Sequence, residues 1–131
     1  MTTHRANFPV ANAPCSWGVI GGGVPMTPFR TMLDELASTG YVGTELGDYG
    51  YMHPDPEVLR EELAKRKLTM LGGFVPIHLS RDVLSQDDLD DVLRVAHLLA
   101  YTSDDARKPR LILADADGPH ATRFENAGRI T

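Results

Sequence analysis

The chain has 131 residues, 42% of them hydrophobic and 24% charged, so we expect one domain built around one core. Its formal charge of −5 makes nucleic acid an unexpected partner, because proteins that bind the phosphate backbone normally carry a basic face. The single cysteine, Cys15, excludes an internal disulfide framework, and no apolar run has the length of a signal peptide or a membrane span. We therefore expect a cytoplasmic protein with no membrane partner.

Short apolar runs alternate along the chain with longer segments of helical periodicity. The first predicted strand lies near residues 8–13, and Thr27-Pro28 then provides the N-cap and first position of a helix that Gly40 ends. The second predicted strand covers residues 41–46. Asp55-Pro56 repeats the start signal for a second helix.

Two further strands follow. The third is predicted at residues 68–75, where Gly72 and Gly73 indicate a close backbone approach or a bend, and Pro76 is expected to end it. The fourth is predicted at residues 110–114.

A third helix is expected between these two strands. Ser85 and Asp88 form a capping-box pattern at its start, with Asp in place of the usual Glu. Helical spacing predicts its apolar stripe to consist of Leu89, Val92, Leu93, Ala96 and Leu99.

This alternation of strands and helices predicts parallel strands joined by right-handed crossovers. Two architectures fit it: a doubly wound open sheet of the flavodoxin type, and part of a (β/α)₈ barrel. A complete barrel takes about 250 residues, whereas four strands use nearly all of this chain. We therefore expect an α/β fold that is the N-terminal half of a TIM-type barrel. Residues 1–131 would form one partial domain of about four βα units, with the C-terminal half missing.

Four short motifs carry a family resemblance. They are ANAPCSWG at residues 11–18, GYVGTELG at 40–47, LGGFVP at 71–76 and LADA at 113–116. In this order, across roughly residues 8–117, they resemble the sugar phosphate isomerase/epimerase family. That family includes inosose dehydratase-like proteins and shares the xylose isomerase-like TIM barrel.

The resemblance implies carbohydrate metabolism: a sugar or cyclitol isomerase/epimerase acting by metal-assisted proton transfer next to a carbonyl. An inosose dehydratase-like lyase and a non-catalytic polyol-binding half-barrel remnant are the alternatives. The resemblance also implies a divalent metal (Mn, Mg or Co) whose ligands come from later strands, so no metal ligand is assigned in this chain. The catalytic residues are left unknown, and the isolated chain is expected to be inactive.

Chemistry in a (β/α)₈ barrel takes place at the C-terminal ends of the strands, where polar residues follow the apolar runs here. Glu45 would accept hydrogen bonds from a sugar or assist proton transfer, or it would be a structural carboxylate paired with an Arg or the backbone of a neighbouring strand. Trp17 would stack on a sugar ring, or plug the core. His78 would act on the substrate as an acid, base or ligand donor, or be merely solvated, and Asp115 would bind substrate or cap a helix or turn. These four are the predicted substrate-binding residues for a sugar or polyol.

Two further polar residues and the open sheet complete the expectations. Asp117 and His120 flank Gly118-Pro119, which is first of all a turn signal. A half-barrel leaves strand edges and apolar surface uncovered, so we expect self-association through the open barrel edges.

Overall fold

The computed structural model of the chain describes residues 8–19, 27–79, 81–104, 107–116 and 125–129. Within these residues, four strands alternate with three α-helices, and a short 3₁₀ helix, Pro14–Trp17, follows the first strand. In chain order the elements are β1 (Ala11–Asn12), α1 (Phe29–Ser38), β2 (Gly43–Glu45), α2 (Pro56–Lys65), β3 (Thr69–Ile77), α3 (Gln86–Thr102) and β4 (Arg110–Asp115). The predicted α/β class is confirmed, and every strand overlaps its predicted range.

The four strands form one parallel sheet in the order β1-β2-β3-β4, so spatial order follows chain order. The pairing of β2 with β3 is irregular: Thr44 lies opposite Met70, but Glu45 lies opposite Gly72. One residue of β3, Leu71, is therefore extra at this point, as in a β-bulge. The bulge lies beside Glu45, at the end of β2.

The helices pack against the sheet in a single hydrophobic core. Met70, Val75 and Ile77 of β3 are each at most 2% exposed and belong to the same buried cluster as residues from all three helices. The helix members of this cluster are Met32, Leu33, Leu36, Leu59, Leu63, Val95, Leu98 and Leu99. On the alternate face of the sheet, Phe74 and its β4 neighbour Ile112 remain 42% and 40% exposed. We call this second face the open face.

Two of the three predicted helix starts are found where the sequence places them. The Asp55 carboxylate accepts the backbone N–H groups of Glu57 (2.9 Å) and Val58 (3.4 Å), and the Ser85 hydroxyl accepts the N–H of Asp88 at 3.1 Å. The prediction for the first helix is wrong by one residue. Pro28 itself is the N-cap, in an extended conformation and without a side-chain cap, so that α1 begins at Phe29.

The prediction that Pro76 ends the third strand is also wrong, because β3 continues to Ile77. The Ile77 carbonyl accepts the N–H of Ala116, beyond β4, whereas the Gly72 carbonyl accepts the N–H of Leu46, beyond β2. Backbone groups along a strand alternate between its two neighbours, so the nitrogen of Pro76 points to the side where β2 has already ended. A missing N–H costs no ladder bond there.

The buried side of α3 differs from the predicted stripe. Leu89 and Leu93 are 39% and 51% exposed, and the buried residues are Asp88, Val95, Leu98, Leu99 and Thr102. Helical spacing gives the period of an apolar arc, but not which part of a wide arc the sheet covers. Leu99 alone of the predicted stripe is fully buried.

A buried carboxylate joins the first two helices. Glu62 of α2, 7% exposed, contacts Arg66 at 2.8 Å, Lys65 at 3.0 Å and Arg30 of α1 at 3.3 Å. Arg66 also contacts Asp34 of α1 at 2.6 Å. Hydrogen bonds from Arg66 and Lys65 lower the pKa of Glu62 to about 2, and they outweigh the opposing effect of burial.

This cluster predicts a defined loss of stability in acid. The pKa of Glu62 falls from 4.5 to about 2 on folding, so its contribution is fully present above pH 4.5 and is lost as the pH falls towards 2. We expect Glu62→Gln to destabilise the protein at pH 7 by about 1–2 kcal/mol and to flatten the pH dependence in this window. Urea unfolding from pH 7 to pH 2 measures both effects. Glu61→Gln is the matched control because the Glu61 side chain is 63% exposed; an equal effect of the two substitutions would contradict the prediction.

Candidate functional site

The C-terminal ends of the four parallel strands lie at one edge of the sheet. Glu45 is the last residue of β2 and Asp115 the last of β4, while His78 directly follows β3. Trp17 ends the 3₁₀ helix that follows β1. The four predicted site residues therefore all belong to this edge, and their side chains take different directions from it.

Glu45 borders a small cavity of about 210 Å³. The cavity is lined by Ala11, Asn12, Ala13, Glu45 and Leu71. The small side chains of Ala11 and Ala13 leave this space, and the bulge in β3 places Leu71 beside it. Glu45 is half-buried, and among the described residues we find no hydrogen bond or salt bridge to its carboxylate. An ion pair with a neighbouring strand, the structural alternative for this residue, is therefore not found within that part of the chain.

Asn12 organises the turn next to this cavity. Its side-chain oxygen accepts the N–H of Ala13 at 2.9 Å and the hydroxyl of Ser16 at 3.1 Å. These two bonds fix the path from β1 into the 3₁₀ helix. Asn12 belongs to the sequence motif at residues 11–18. It is not among the four predicted site residues, because a polar residue at a strand end does not by itself indicate this role.

Trp17 is held against the first helix. Its indole N–H donates to the Glu35 carboxylate of α1, and its half-buried ring packs against the hydrophobic core. This anchoring agrees with the plug interpretation for the body of the side chain. The stacking of a sugar on Trp17 stays a prediction.

His78 has a partner that the sequence pattern does not indicate. Its Nδ1 lies 3.0 Å from the Oδ1 of Asp88, on the first turn of α3. Asp88 is only 6% exposed, whereas the His78 side chain is 33% exposed. The sequence suggested only a capping role for Asp88; its burial, which would have indicated more, depends on how α3 packs on the sheet.

Asp115 lies on the other side of the sheet from Glu45. Its ladder partner is Ile77, which is buried in the core under the helices, and paired residues of neighbouring strands share a face. The structure therefore does not bring Asp115 and Glu45 together. Asp117 and His120, the other two polar residues predicted near this end, lie outside the described residues.

A larger cavity of about 550 Å³ opens where β2 has ended and β3 continues. Its lining consists of Asp48, Tyr49, Phe74, Val75, Pro76, Asp91, Arg94 and Val95. The Arg94 guanidinium lies over the Tyr49 ring at 5.3 Å and contacts Asp91 at 2.9 Å. The contact with Tyr49 ties α3 to the loop after β2, and the contact with Asp91 lies within α3. Together they leave the arginine engaged within the protein.

The described residues do not provide a metal centre. Within them, no three His, Cys, Asp or Glu side chains are grouped so that they could hold a metal ion. The divalent metal implied by the resemblance thus has no fitting donor set in that part of the chain, and we assign no chemical step to it. The helices that the structure describes include none that is long and apolar enough to cross a membrane.

Comparison with known proteins adds no relative. A scan against protein-family models gave no match, and a search of curated proteins gave none either.

Proposed function

We propose that this chain forms the first half of a (β/α)₈ barrel that isomerises or epimerises a sugar or cyclitol. The observation that carries the proposal is the sequential strand order β1-β2-β3-β4, with helices packed on one face and Glu45 at the C-terminal edge. A doubly wound sheet reverses its strand order and carries helices on both faces. In a barrel, the face opposite the helices is the interior, and substrates bind at the C-terminal ends of the strands.

The space beside Glu45 supports a polyol as the ligand. A carboxylate that accepts hydrogen bonds from substrate hydroxyls, next to small side chains that leave room, suits a ligand rich in O–H donors. The cavity of about 210 Å³ is smaller than the roughly 300–1,000 Å³ usual for ligand pockets, as expected of a site that further strands complete.

The proposed reaction begins with loss of a proton from a carbon next to a carbonyl. Glu45 would bind the neighbouring hydroxyl and so orient the C–H bond that breaks. Return of the proton to carbon gives an isomer or epimer, whereas expulsion of a β-hydroxyl gives the product of a dehydratase. The two outcomes share their first step and are separated by analysis of the product.

The test is deuterium exchange in a protein expressed from its native reading frame. The protein is incubated in D₂O with Mn²⁺ and either D-fructose or 2-keto-myo-inositol, and proton NMR follows the C–H signals beside the carbonyl. We expect exchange with at least one of the two, and a loss of about tenfold to a hundredfold in kcat/KM for Glu45→Gln, because a hydrogen bond to a charged group is lost. Glu57→Gln, the same change on the exposed side of α2, is the control.

Each other result has a defined meaning. A dehydrated product identifies the lyase, and ligand-induced shifts without exchange identify a polyol-binding protein. If neither probe binds and neither shows exchange, the proposed function is rejected.

A further inference from the structure

The connection between β3 and α3 contains a histidine paired with a buried carboxylate. His78 follows the last residue of β3, and its Nδ1 lies 3.0 Å from Oδ1 and 3.3 Å from Oδ2 of Asp88. We propose that these two residues form a general-base dyad, in which Nε2 of His78 accepts the proton and Asp88 is the positioning residue. The C–H group that would give up the proton follows from the proposed function. The ring nitrogen of His78 that carries the proton does not depend on it.

The partner of Nδ1 decides which nitrogen of the neutral ring carries the proton. An ionised carboxylate offers only acceptor oxygens, so Nδ1 must be the donor and Nε2 keeps its lone pair. His53 provides the opposite case in the same chain. Its Nδ1 accepts the backbone N–H of Asp55 at 3.1 Å, which requires the proton to lie on Nε2. The two histidines are therefore expected to be opposite tautomers.

Asp88 is held ionised and in place by its surroundings. Burial opposes its charge, but hydrogen bonds from His78 and Ser85 outweigh that effect and lower the pKa of Asp88 below its usual value. Its backbone N–H also donates to the Ser85 hydroxyl at the start of α3. A fixed negative charge at Nδ1 stabilises the imidazolium that forms when Nε2 takes up a proton.

The dyad lies at the edge of the sheet where the proposed reaction would take place. In that reaction the C–H bond beside the carbonyl breaks, its electron pair forms a C=C bond while the π pair of the carbonyl moves onto the oxygen, and Nε2 takes the proton. The N–H bond so formed breaks again when the proton returns to carbon, which restores the neutral ring. No oxidant, reductant or further reactant is needed.

The contact with an ionised Asp88 places the proton on Nδ1 of His78 whether the pair is structural or catalytic, so the tautomer tests the contact and the availability of the Nε2 lone pair. Nitrogen-15 NMR of the imidazoles in alkaline solution shows which ring nitrogen carries the proton. We expect a protonated Nδ1 in His78 and a protonated Nε2 in His53. A protonated Nε2 in His78 of the unsubstituted protein would overturn the proposal, whatever the variants do.

Acylation by diethylpyrocarbonate, located by peptide mass, measures the reactivity of the Nε2 lone pair. We expect His78 to react faster than His53, and Asp88→Asn to slow His78 about fivefold and to change its tautomer. Asp55→Asn makes the same substitution at the start of α2, where the carboxylate accepts backbone N–H groups, and should leave His78 unchanged. Equal behaviour of His78 in the Asp88→Asn and unsubstituted proteins would overturn the role of Asp88.

Deuterium exchange completes the test. His78→Gln should lower the exchange rate at least a hundredfold, as expected for loss of a general base. Unchanged exchange in this variant would overturn the catalytic role of His78. If the unsubstituted protein neither binds nor exchanges either probe, the proposed function fails, while the acylation rates of the unsubstituted protein and of Asp88→Asn still decide whether Asp88 makes Nε2 of His78 a stronger base.

Discussion

Replacing Gly72 with alanine is expected to destabilise the protein by about 2–3 kcal/mol. A Cβ atom at this position would lie 2.7 Å from the backbone carbonyl oxygen of Arg110 on β4. That contact is too short for any Cβ, and a backbone atom in a strand moves only if the pairing of β3 with β4 moves with it. The substitution therefore separates the strands next to the bulge and beside Glu45.

Gly40→Ala provides the control for this experiment. Gly40 has a φ of +89°, and a Cβ atom at this position would have no neighbouring atom within 4 Å, so alanine there introduces backbone strain without a clash. The expected cost is about 1 kcal/mol. Urea denaturation of both variants measures the difference, and an effect of Gly72→Ala no larger than that of Gly40→Ala would contradict the close approach of β3 and β4.

The same substitution should have very unequal effects on stability at two adjacent residues of β3. Val75 is 2% exposed beneath the helices, and Phe74 is 42% exposed on the open face. We expect Val75→Ser to cost about 3 kcal/mol, because apolar contacts are lost and a hydroxyl is buried. We expect Phe74→Ser to change stability by less than about 1 kcal/mol.

Thermal unfolding followed by circular dichroism measures the stability of both variants, and light scattering reports self-association. Since Phe74 contributes apolar surface to the open face, its replacement should also reduce the self-association expected from the sequence. A large loss of stability in Phe74→Ser would mean that the open face is covered in the folded protein, which would contradict the assignment of the two faces.

Local signals in the sequence predicted much of the fold. Asp55 with Pro56, and Ser85 three residues before Asp88, specify helix starts through contacts within a few residues, and both are found. The interpretations of Pro76 and of the stripe containing Leu93 were wrong for one shared reason. The missing N–H of Pro76 is tolerated because of where β2 ends, and Leu93 is exposed because of the part of α3 that the sheet covers. Both depend on tertiary structure.

The candidate site was predictable in place but not in detail. Strand ends indicated Glu45 and His78, because parallel strands present these ends at one edge. The pairing of His78 with Asp88 joins residues ten positions apart across a loop, and the side of the sheet on which Asp115 lies depends on its register with Ile77. Neither follows from polarity or spacing in the sequence.

The unequal lengths of β2 and β3 have a consequence for misfolding. β2 has three residues and β3 has nine. The C-terminal part of β3 therefore presents backbone groups on a side that β2 does not cover. An uncovered strand of this kind is a template for pairing with a strand of another chain. Pro76 lies in this stretch and offers no N–H, so an incoming strand would find its ladder interrupted there. Pro76 therefore does not end β3 but disfavours the addition of a strand from another chain at this side.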